Sequence, residues 1–250
     1  PGAQAIIEEL LEAFPQATVE LRSGAPERAF SGLEDSRCRR VEVDLDPGVE
    51  QGDSFSHDIA ATYEAWRELF DNADALVQAE AAALRASGAS LVLSDAGPLP
   101  CAVAAACGIP AFVIANFTWD WILEGYLQRE PRLAAIIDAI RRAYGLAEAY
   151  LRLPLSPDAP IFRREERVGF VARRRRHAPQ ELRRALGVSD EERLVLLSFG
   201  GFGISQLDLS CVEGAARRGL RVVWEQPEAR PPDLLSVASG QPALPPALRY

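Results

Sequence analysis

The sequence predicts an α/β fold built from parallel sheets and divided into two domains. Residues 90–117 form the pattern of a buried strand, a short helix and a second buried strand. A strand–helix–strand unit of this length joins parallel strands through a right-handed crossover. Both strands are continuous apolar runs, which is typical of strands covered on both faces of a sheet. The same alternation of strand and helix begins again at residue 193 and continues to residue 226.

Hydrophobic periodicity predicts the remaining elements of the amino-terminal part. Helices are expected over 2–14, 119–128 and 132–148, and strands over 17–23 and 39–46. Between them, apolar residues recur at spacings of three and four and predict one long helix with a core-facing stripe, which comprises Ile59, Tyr63, Trp66, Phe70, Ala73 and Val77.

The regular pattern is interrupted at residues 151–180, where three prolines and a cluster of arginines occur. Prolines disfavour the interior of helices and of central strands. We therefore predict a first domain at 1–152, an interdomain connection at 153–190 and the start of a second domain at 191–250.

Composition limits the classes of function. The 250 residues carry a formal net charge of −9, all 27 basic residues are arginine, and the calculated pI is about 4.9. This acidic balance argues against nucleic acid as the main partner. No apolar run approaches the roughly 18–20 residues that span a bilayer, although peripheral membrane association stays open. The four cysteines form no CxxC pair, so we expect no metal site and a reducing, cytoplasmic compartment.

Polar residues follow two consecutive predicted strands. Asp95 ends the first strand, and the segment from Asn116 to Asp120 follows the second. Because ligands of open α/β sheets bind beyond the carboxyl ends of the strands, these residues are candidates for one cleft. The aromatic and polar mixture of Phe117, Thr118 and Trp119 is typical of a carbohydrate site.

Each of these residues also has a structural interpretation. Asp95 can cap the helix that follows it, and Thr118 or Asp120 can cap the next one. Trp121 is equally compatible with a place in the core.

Two further loops are candidates. The polar loop 51–58 contains Asp53 and His57 and leads into the long helix. The loop 198–205 joins a buried strand to a helix and is rich in glycine, which allows backbone amides to approach an anion. It matches neither the GxGxxG spacing nor a P-loop, so a tight strand-to-helix turn explains it equally well.

Several segments together resemble a known family. Ser94, Asp95 and Pro98, followed about twenty residues later by the segment from Asn116 to Asp120, match a Ser-Asp-x-x-Pro and Asn-Phe-(Ser/Thr)-Trp-Asp pattern. The stretch 151–164 is similar to a Leu-Pro segment of the same family. The chain thus resembles the amino-terminal, non-kinase half of plant L-arabinokinases and their bacterial glycosyltransferase-like relatives over roughly residues 40–205.

The resemblance implies a GT-B-like fold of two Rossmann-like domains, in which the first binds an acceptor sugar or small molecule and the second a nucleotide-sugar donor, without a metal cofactor. In this interpretation Asp95 and Asp120 are catalytic candidates. The acceptor-binding candidates are Asn116, Phe117, Thr118, Trp119, Asp53 and His57. The donor- or phosphate-binding candidates are Gly200, Gly201, Phe202, Gly203 and Ser205.

The resemblance leaves alternatives open. The chain has no Met and starts without the family's first strand and its Gly/His-rich loop, which would precede Pro1, and the remaining donor motifs would follow Tyr250. We therefore expect a fragment, with the first domain lacking its initial strand and the second truncated, that is inactive by itself. A nucleotide-sugar epimerase, or a non-catalytic sugar-nucleotide-binding domain linked to a sugar kinase, would fit the same features.

Overall fold

The computed structural model describes residues 2–30, 33, 35–174, 177–197, 218–224 and 234–236. The chain divides into two compact units. The first comprises residues 1–50 and 58–173, and the second comprises residues 51–57 and 174–250.

The first unit contains most of the regular structure. Its first elements are α1 (Gly2–Ala13), β1 (Val19–Arg22), a 3-10 turn (Glu27–Phe30) and β2 (Cys38–Val41). The short strands β3 (Gln51–Asp53) and β4 (Ser56–His57) follow in the chain but belong to the other unit. The first unit then continues with α2 (Ile59–Asp71), α3 (Ala73–Ser87), β5 (Val92–Asp95), α4 (Leu99–Cys107), β6 (Ala111–Ala115), α5 (Trp119–Glu124), α6 (Leu133–Tyr144), β7 (Ala149–Arg152) and β8 (Glu165–Arg167).

All strand pairs of this unit are parallel. β5, β6, β7 and β8 form a four-stranded sheet in that order, and β1 pairs with β2. The predicted parallel unit of β5, α4 and β6 is therefore confirmed. β8 lies inside the segment that was expected to be an interdomain connection, and it forms the outer strand of the sheet.

The core of this unit lies between the sheet and its helices. Its largest fully buried side chains come from α2, α6 and β7, namely Trp66, Tyr144 and Tyr150. The predicted inward face of α6 is confirmed, because Leu133, Ile137 and Ile140 are buried. Burial of such side chains contributes roughly 1.5–3 kcal/mol each, so this layer is the main source of stability for the unit.

The predicted single long helix is in fact two helices, α2 and α3. Asn72 ends α2 with backbone angles outside the helical range (φ −102°, ψ 2°). Its side-chain amide donates a hydrogen bond of 2.8 Å to the Glu68 carbonyl. Because the side chain competes with the backbone for this acceptor, the helix stops and restarts.

The strand predicted over 39–46 is also shorter than expected and ends at Val41. The residues that follow turn through side-chain hydrogen bonds: Asp46 N–H donates to the Asp44 carboxylate at 3.3 Å, and Gly48 N–H donates to the Asp46 carboxylate at 3.0 Å. Aspartate side chains that accept from the backbone two residues on favour turns over strands.

In the second unit, α7 (Pro179–Ala185) precedes β9 (Arg193–Leu197), β10 (Leu220–Trp224) and β11 (Leu234–Ser236). These three strands form a parallel sheet in the order β11-β10-β9. β3 and β4 form an antiparallel hairpin. The three parallel sheets of the described residues agree with the predicted α/β class.

Candidate functional site

Two polar residues meet at the carboxyl edge of the four-stranded sheet. Asp95 is the last residue of β5 and pairs in register with Ile114 of β6. Asn116 directly follows β6, which ends at Ala115, and lies two residues beyond the register partner of Asp95. Both residues are exposed. The topology therefore places both at the carboxyl edge of the sheet, where ligands of α/β folds bind.

The turn after β5 has an unusual backbone. Ala96 adopts φ +63°, a left-handed conformation that side-chain-bearing residues rarely take, and it is buried. The turn is closed by the Ser94 hydroxyl, which donates to the Gly97 carbonyl at 2.7 Å. Strained backbone of this kind costs on the order of 1–3 kcal/mol and concentrates at functional sites.

Asp95 is available to a ligand. Within the described part of the chain no cation pairs with its carboxylate, and the helix that follows begins four residues later at Leu99. The interpretation of Asp95 as a helix cap is therefore wrong. A β-carbon placed on Gly2 would lie 4.0 Å from Asp95 Oδ2, so the start of α1 lies beside it. Loss of solvation in this environment raises the pKa of Asp95 above its ordinary value.

The residues after β6 differ in exposure. Asn116 is exposed, whereas Thr118 is buried at the start of α5 without a side-chain capping bond. The rings of Phe117 and Trp119 meet edge to face with centroids 5.0 Å apart, and both are half-buried. Trp121 is 48% exposed and does not belong to the core.

Asp120 lies away from solvent and has a cationic partner. Its residue exposure is 6%, and its Oδ2 accepts a hydrogen bond of 3.1 Å from Arg141 Nε of α6. Arg141 also pairs with Glu124. Asp120 Oδ1 is buried and has no hydrogen-bond partner among the described residues. Asp120 therefore joins α5 to α6, and its second oxygen remains unsatisfied.

One buried hydroxyl connects the two edge segments. Tyr144 Oη donates to the Ala96 carbonyl in the turn after β5, and it accepts from the Trp119 backbone N–H at 3.2 Å. The side chain is completely buried, and this burial raises the pKa of Tyr144 well above its ordinary value. The hydroxyl is therefore neutral and can donate and accept at the same time.

Asp46 is a site residue that the sequence interpretation missed, because 39–46 was expected to be a strand. Its Oδ2 accepts a hydrogen bond of 2.7 Å from Trp119 Nε1. Burial raises the pKa of Asp46 to about 6, against the opposing effect of the indole hydrogen bond. The Asp-Pro-Gly turn signal at 46–48 was the one clue in the sequence.

The remaining predicted site residues lie in the other unit or outside the described residues. Asp53 and His57 lie on the β3–β4 hairpin, which groups with the second unit. The Asp53 carboxylate accepts from the N–H groups of Phe55 and Ser56 at 2.9 and 2.8 Å and so forms the hairpin turn. Gly200, Gly201, Phe202, Gly203 and Ser205 lie outside the described residues.

Comparison with known proteins finds a similar sequence and solved structures of similar fold. No family model matches the sequence. Over 187 residues the chain is 32% identical to L-arabinokinase of Arabidopsis thaliana. This alignment covers 73% of the chain and 18% of the L-arabinokinase. The solved Arabidopsis thaliana protein UGT89C1, in complex with UDP-L-rhamnose, is similar with a TM-score of 0.56 and 15% identity over 94% of this chain and 65% of its own.

A UDP-glucosyltransferase from Polygonum tinctorium, capable of glucosylating indoxyl, is similar with a TM-score of 0.53 and 17% identity over 93% of this chain and 62% of its own. The chain has a GT-B-like fold. The predicted resemblance to L-arabinokinase and to GT-B glycosyltransferases is confirmed. The chain spans less than a fifth of the L-arabinokinase and less than two thirds of either solved structure.

The carboxyl edge of the first unit carries hydrogen-bonding groups of the kind that suit hydroxyl-bearing ligands. Asp95 accepts hydrogen bonds, Asn116 can donate and accept, and Trp119 supplies apolar surface beside them. The described residues contain no group of three His, Cys, Asp or Glu side chains arranged to hold a metal ion. None of the described helices has the length and apolar character needed to cross a membrane.

Proposed function

We propose that this chain belongs to a nucleotide-sugar-dependent glycosyltransferase and that the carboxyl edge of its first unit binds the acceptor. The single observation that carries the proposal is the pair of exposed, adjacent residues Asp95 and Asn116 at the sheet edge. The half-buried Trp119 ring lies in the segment beside them. The GT-B-like fold supports it, because one similar structure contains UDP-L-rhamnose and another is a UDP-glucosyltransferase.

In this proposal Asp95 is the general base. Its carboxylate takes the proton of an acceptor hydroxyl as the hydroxyl oxygen forms a bond to the anomeric carbon of the donor sugar. The bond from that carbon to the nucleotide diphosphate breaks, and the diphosphate leaves with the electron pair. A pKa above the ordinary value makes Asp95 a better proton acceptor once it is ionised.

Asn116 and Asp120 have different roles in the proposal. The Asn116 amide binds neighbouring hydroxyls of the acceptor, for which its paired donor and acceptor groups suit it. Asp120 keeps α5 packed on α6 through Arg141 and so holds the acceptor-binding segment in place. We assign the donor to the second unit, where Gly200 to Ser205 would contact its diphosphate without a metal ion.

A second candidate function follows from the sequence similarity to L-arabinokinase. A non-catalytic domain that binds a sugar or a nucleotide sugar beside a kinase would use the same sheet edge. The two functions differ in turnover: the transferase releases nucleotide diphosphate and forms an acceptor-linked sugar, whereas the binding domain does neither.

The test is the Asp95→Asn substitution. Using calorimetry on the purified chain, we expect D-glucose or L-arabinose to bind the wild type and to bind Asp95→Asn about tenfold more weakly, because a hydrogen bond to a charged acceptor is worth about 1.5–3 kcal/mol. Asp138→Asn, an exposed change on α6, is the matched control and should bind as the wild type does.

Turnover bears on the choice between the candidates. UDP release from UDP-glucose that depends on an acceptor and disappears in Asp95→Asn supports the transferase. Because the chain is expected to be inactive by itself, sugar binding without UDP release is the expected result for either candidate. A wild-type chain that binds neither sugar, or an Asp95→Asn variant with unchanged affinity, contradicts the assignment of the acceptor site.

A further inference from the structure

We propose that Asp46 is a positioning residue of the acceptor site, which fixes Trp119 and with it the segment that begins at Asn116. The inference rests on the proposed function and adds a residue to it. Asp46 lies in the turn after β2, far in sequence from the other site residues. Among the described residues, it approaches the site through the Trp119 indole and the turn after β5.

The carboxylate of Asp46 is oriented by two hydrogen bonds. Oδ2 accepts from Trp119 Nε1 at 2.7 Å, and Oδ1 accepts from the Gly48 backbone N–H at 3.0 Å. A β-carbon placed on Gly97 would lie 3.7 Å from Asp46 Oδ2. Asp46 therefore lies beside the turn that follows Asp95. One of its oxygens binds the Trp119 indole and the other binds the Gly48 N–H.

The turn that carries Asp46 is itself anchored in the core. Trp66 is completely buried, and its Nε1 donates to the Gly48 carbonyl at 2.8 Å. The rings of Trp66 and Trp119 meet edge to face at 5.8 Å. Gly48 adopts φ +69°, a conformation that glycine takes without strain, and this brings the turn against Trp119. The buried Trp66 side chain therefore holds both the turn that carries Asp46 and the Trp119 ring in place.

The charges around Asp46 make this bond sensitive to pH. Within the described residues no cation pairs with its carboxylate; Asp44 in its own turn and Asp95 on β5 are the acids that interact with it, and the Tyr144 hydroxyl faces it from α6. Burial raises the pKa of Asp46 to about 6. A hydrogen bond to an ionised acceptor is roughly twice as strong as one to a neutral acceptor, so protonation weakens the hold on Trp119.

The first measurement is a double-mutant cycle on sugar affinity, with D-glucose and L-arabinose as probes. Asp46→Asn should weaken binding about fivefold, and Trp119→Phe at least as much, because it also changes the ring beside the sugar. The double variant should bind no more weakly than Trp119→Phe, because without the indole N–H Asp46 has no partner to position. Asp138→Asn and Trp121→Phe are the matched controls and should leave affinity unchanged. Circular dichroism and thermal melting establish that every variant is folded.

The second measurement is the indole N–H resonance of Trp119 in nitrogen-15 NMR, identified by its loss in Trp119→Phe. It should titrate with a midpoint near the Asp46 pKa of about 6 in the wild type, and this transition should be absent in Asp46→Asn. An indole resonance that shows no such transition in the wild type overturns the inference.

The outcomes separate the inference from the function on which it rests. A wild-type chain that binds neither sugar overturns both. Sugar binding that is equal in wild type and Asp46→Asn, or additive losses in the double variant, overturns the inference and leaves the proposed function standing.

Discussion

At the scale of single residues, the carboxyl edge of the first sheet contains carboxylates in three different environments. Asp95 is exposed and lacks a cationic partner among the described residues, whereas Asp120 is buried against Arg141. Asp46 lies between these extremes, half-buried and bound to neutral donors. The exposed Asp95 can reach a ligand, whereas Asp46 and Asp120 are engaged with donors of the protein itself, so we assign them supporting roles.

Asp46 predicts a dependence of stability on pH. Its pKa rises from 3.8 in the unfolded chain to about 6 in the folded one, so the folded state binds the extra proton. This stabilisation is fully present below about pH 3.8 and is lost as the pH rises through about 6, with a size of about 2 kcal/mol after allowance for partial exposure.

Asp46→Asn tests that dependence, because asparagine does not titrate. The difference in unfolding free energy between the variant and the wild type should shift in favour of the variant by about 2 kcal/mol between about pH 4 and about pH 7. Urea unfolding at several pH values measures it, and Asp138→Asn should show no comparable shift. A difference that stays constant with pH would contradict the raised pKa.

At the scale of elements, α6 joins the loops of two neighbouring strands. Tyr144 binds the Ala96 carbonyl and the Trp119 N–H, and Arg141 binds Asp120 on α5. Asp95 and the Asn116 segment are therefore held to the same helix. We infer that the geometry of the acceptor site depends on how α6 packs.

Tyr144→Phe should destabilise the chain by about 1–3 kcal/mol, because it leaves a buried carbonyl and a buried N–H without their partner. Tyr150→Phe is the matched control: the side chain is equally buried, but its hydroxyl donates to an Ala115 carbonyl that also accepts from Leu153 N–H, so this acceptor keeps a partner. The control should cost less than about 1 kcal/mol. Equal losses in urea unfolding would show that α6 does not connect the two loops.

Sequence patterns predicted the elements whose periodicity is strong and local. The apolar runs of β5 and β6 and the stripe of α6 appear in the structure as expected. The patterns failed where side chains compete with the backbone. Asn72 stops α2 by binding a carbonyl of its own helix, and Asp46 turns the chain after β2. Such local hydrogen bonds leave the hydrophobic period unchanged, so periodicity alone does not reveal them.

At the scale of the whole molecule, the sequence predicted the parallel sheets and the edge where polar residues gather. Parallel topology alone brings Asp95 and Asn116 together, so their proximity followed from strand order. The Asp46–Trp119 bond joins residues 73 positions apart and depends on packing that no local pattern encodes. The fold is GT-B-like, and the acceptor site at this edge is our proposal.

The most direct test of that proposal is to locate a bound acceptor on the chain. A crystal structure or an NMR shift map with D-glucose or L-arabinose should place the sugar at the carboxyl edge of the first sheet, against Asp95, Asn116 and Trp119. A sugar bound instead at the opposite edge of that sheet, beside Val92 and Ala111, would contradict the account.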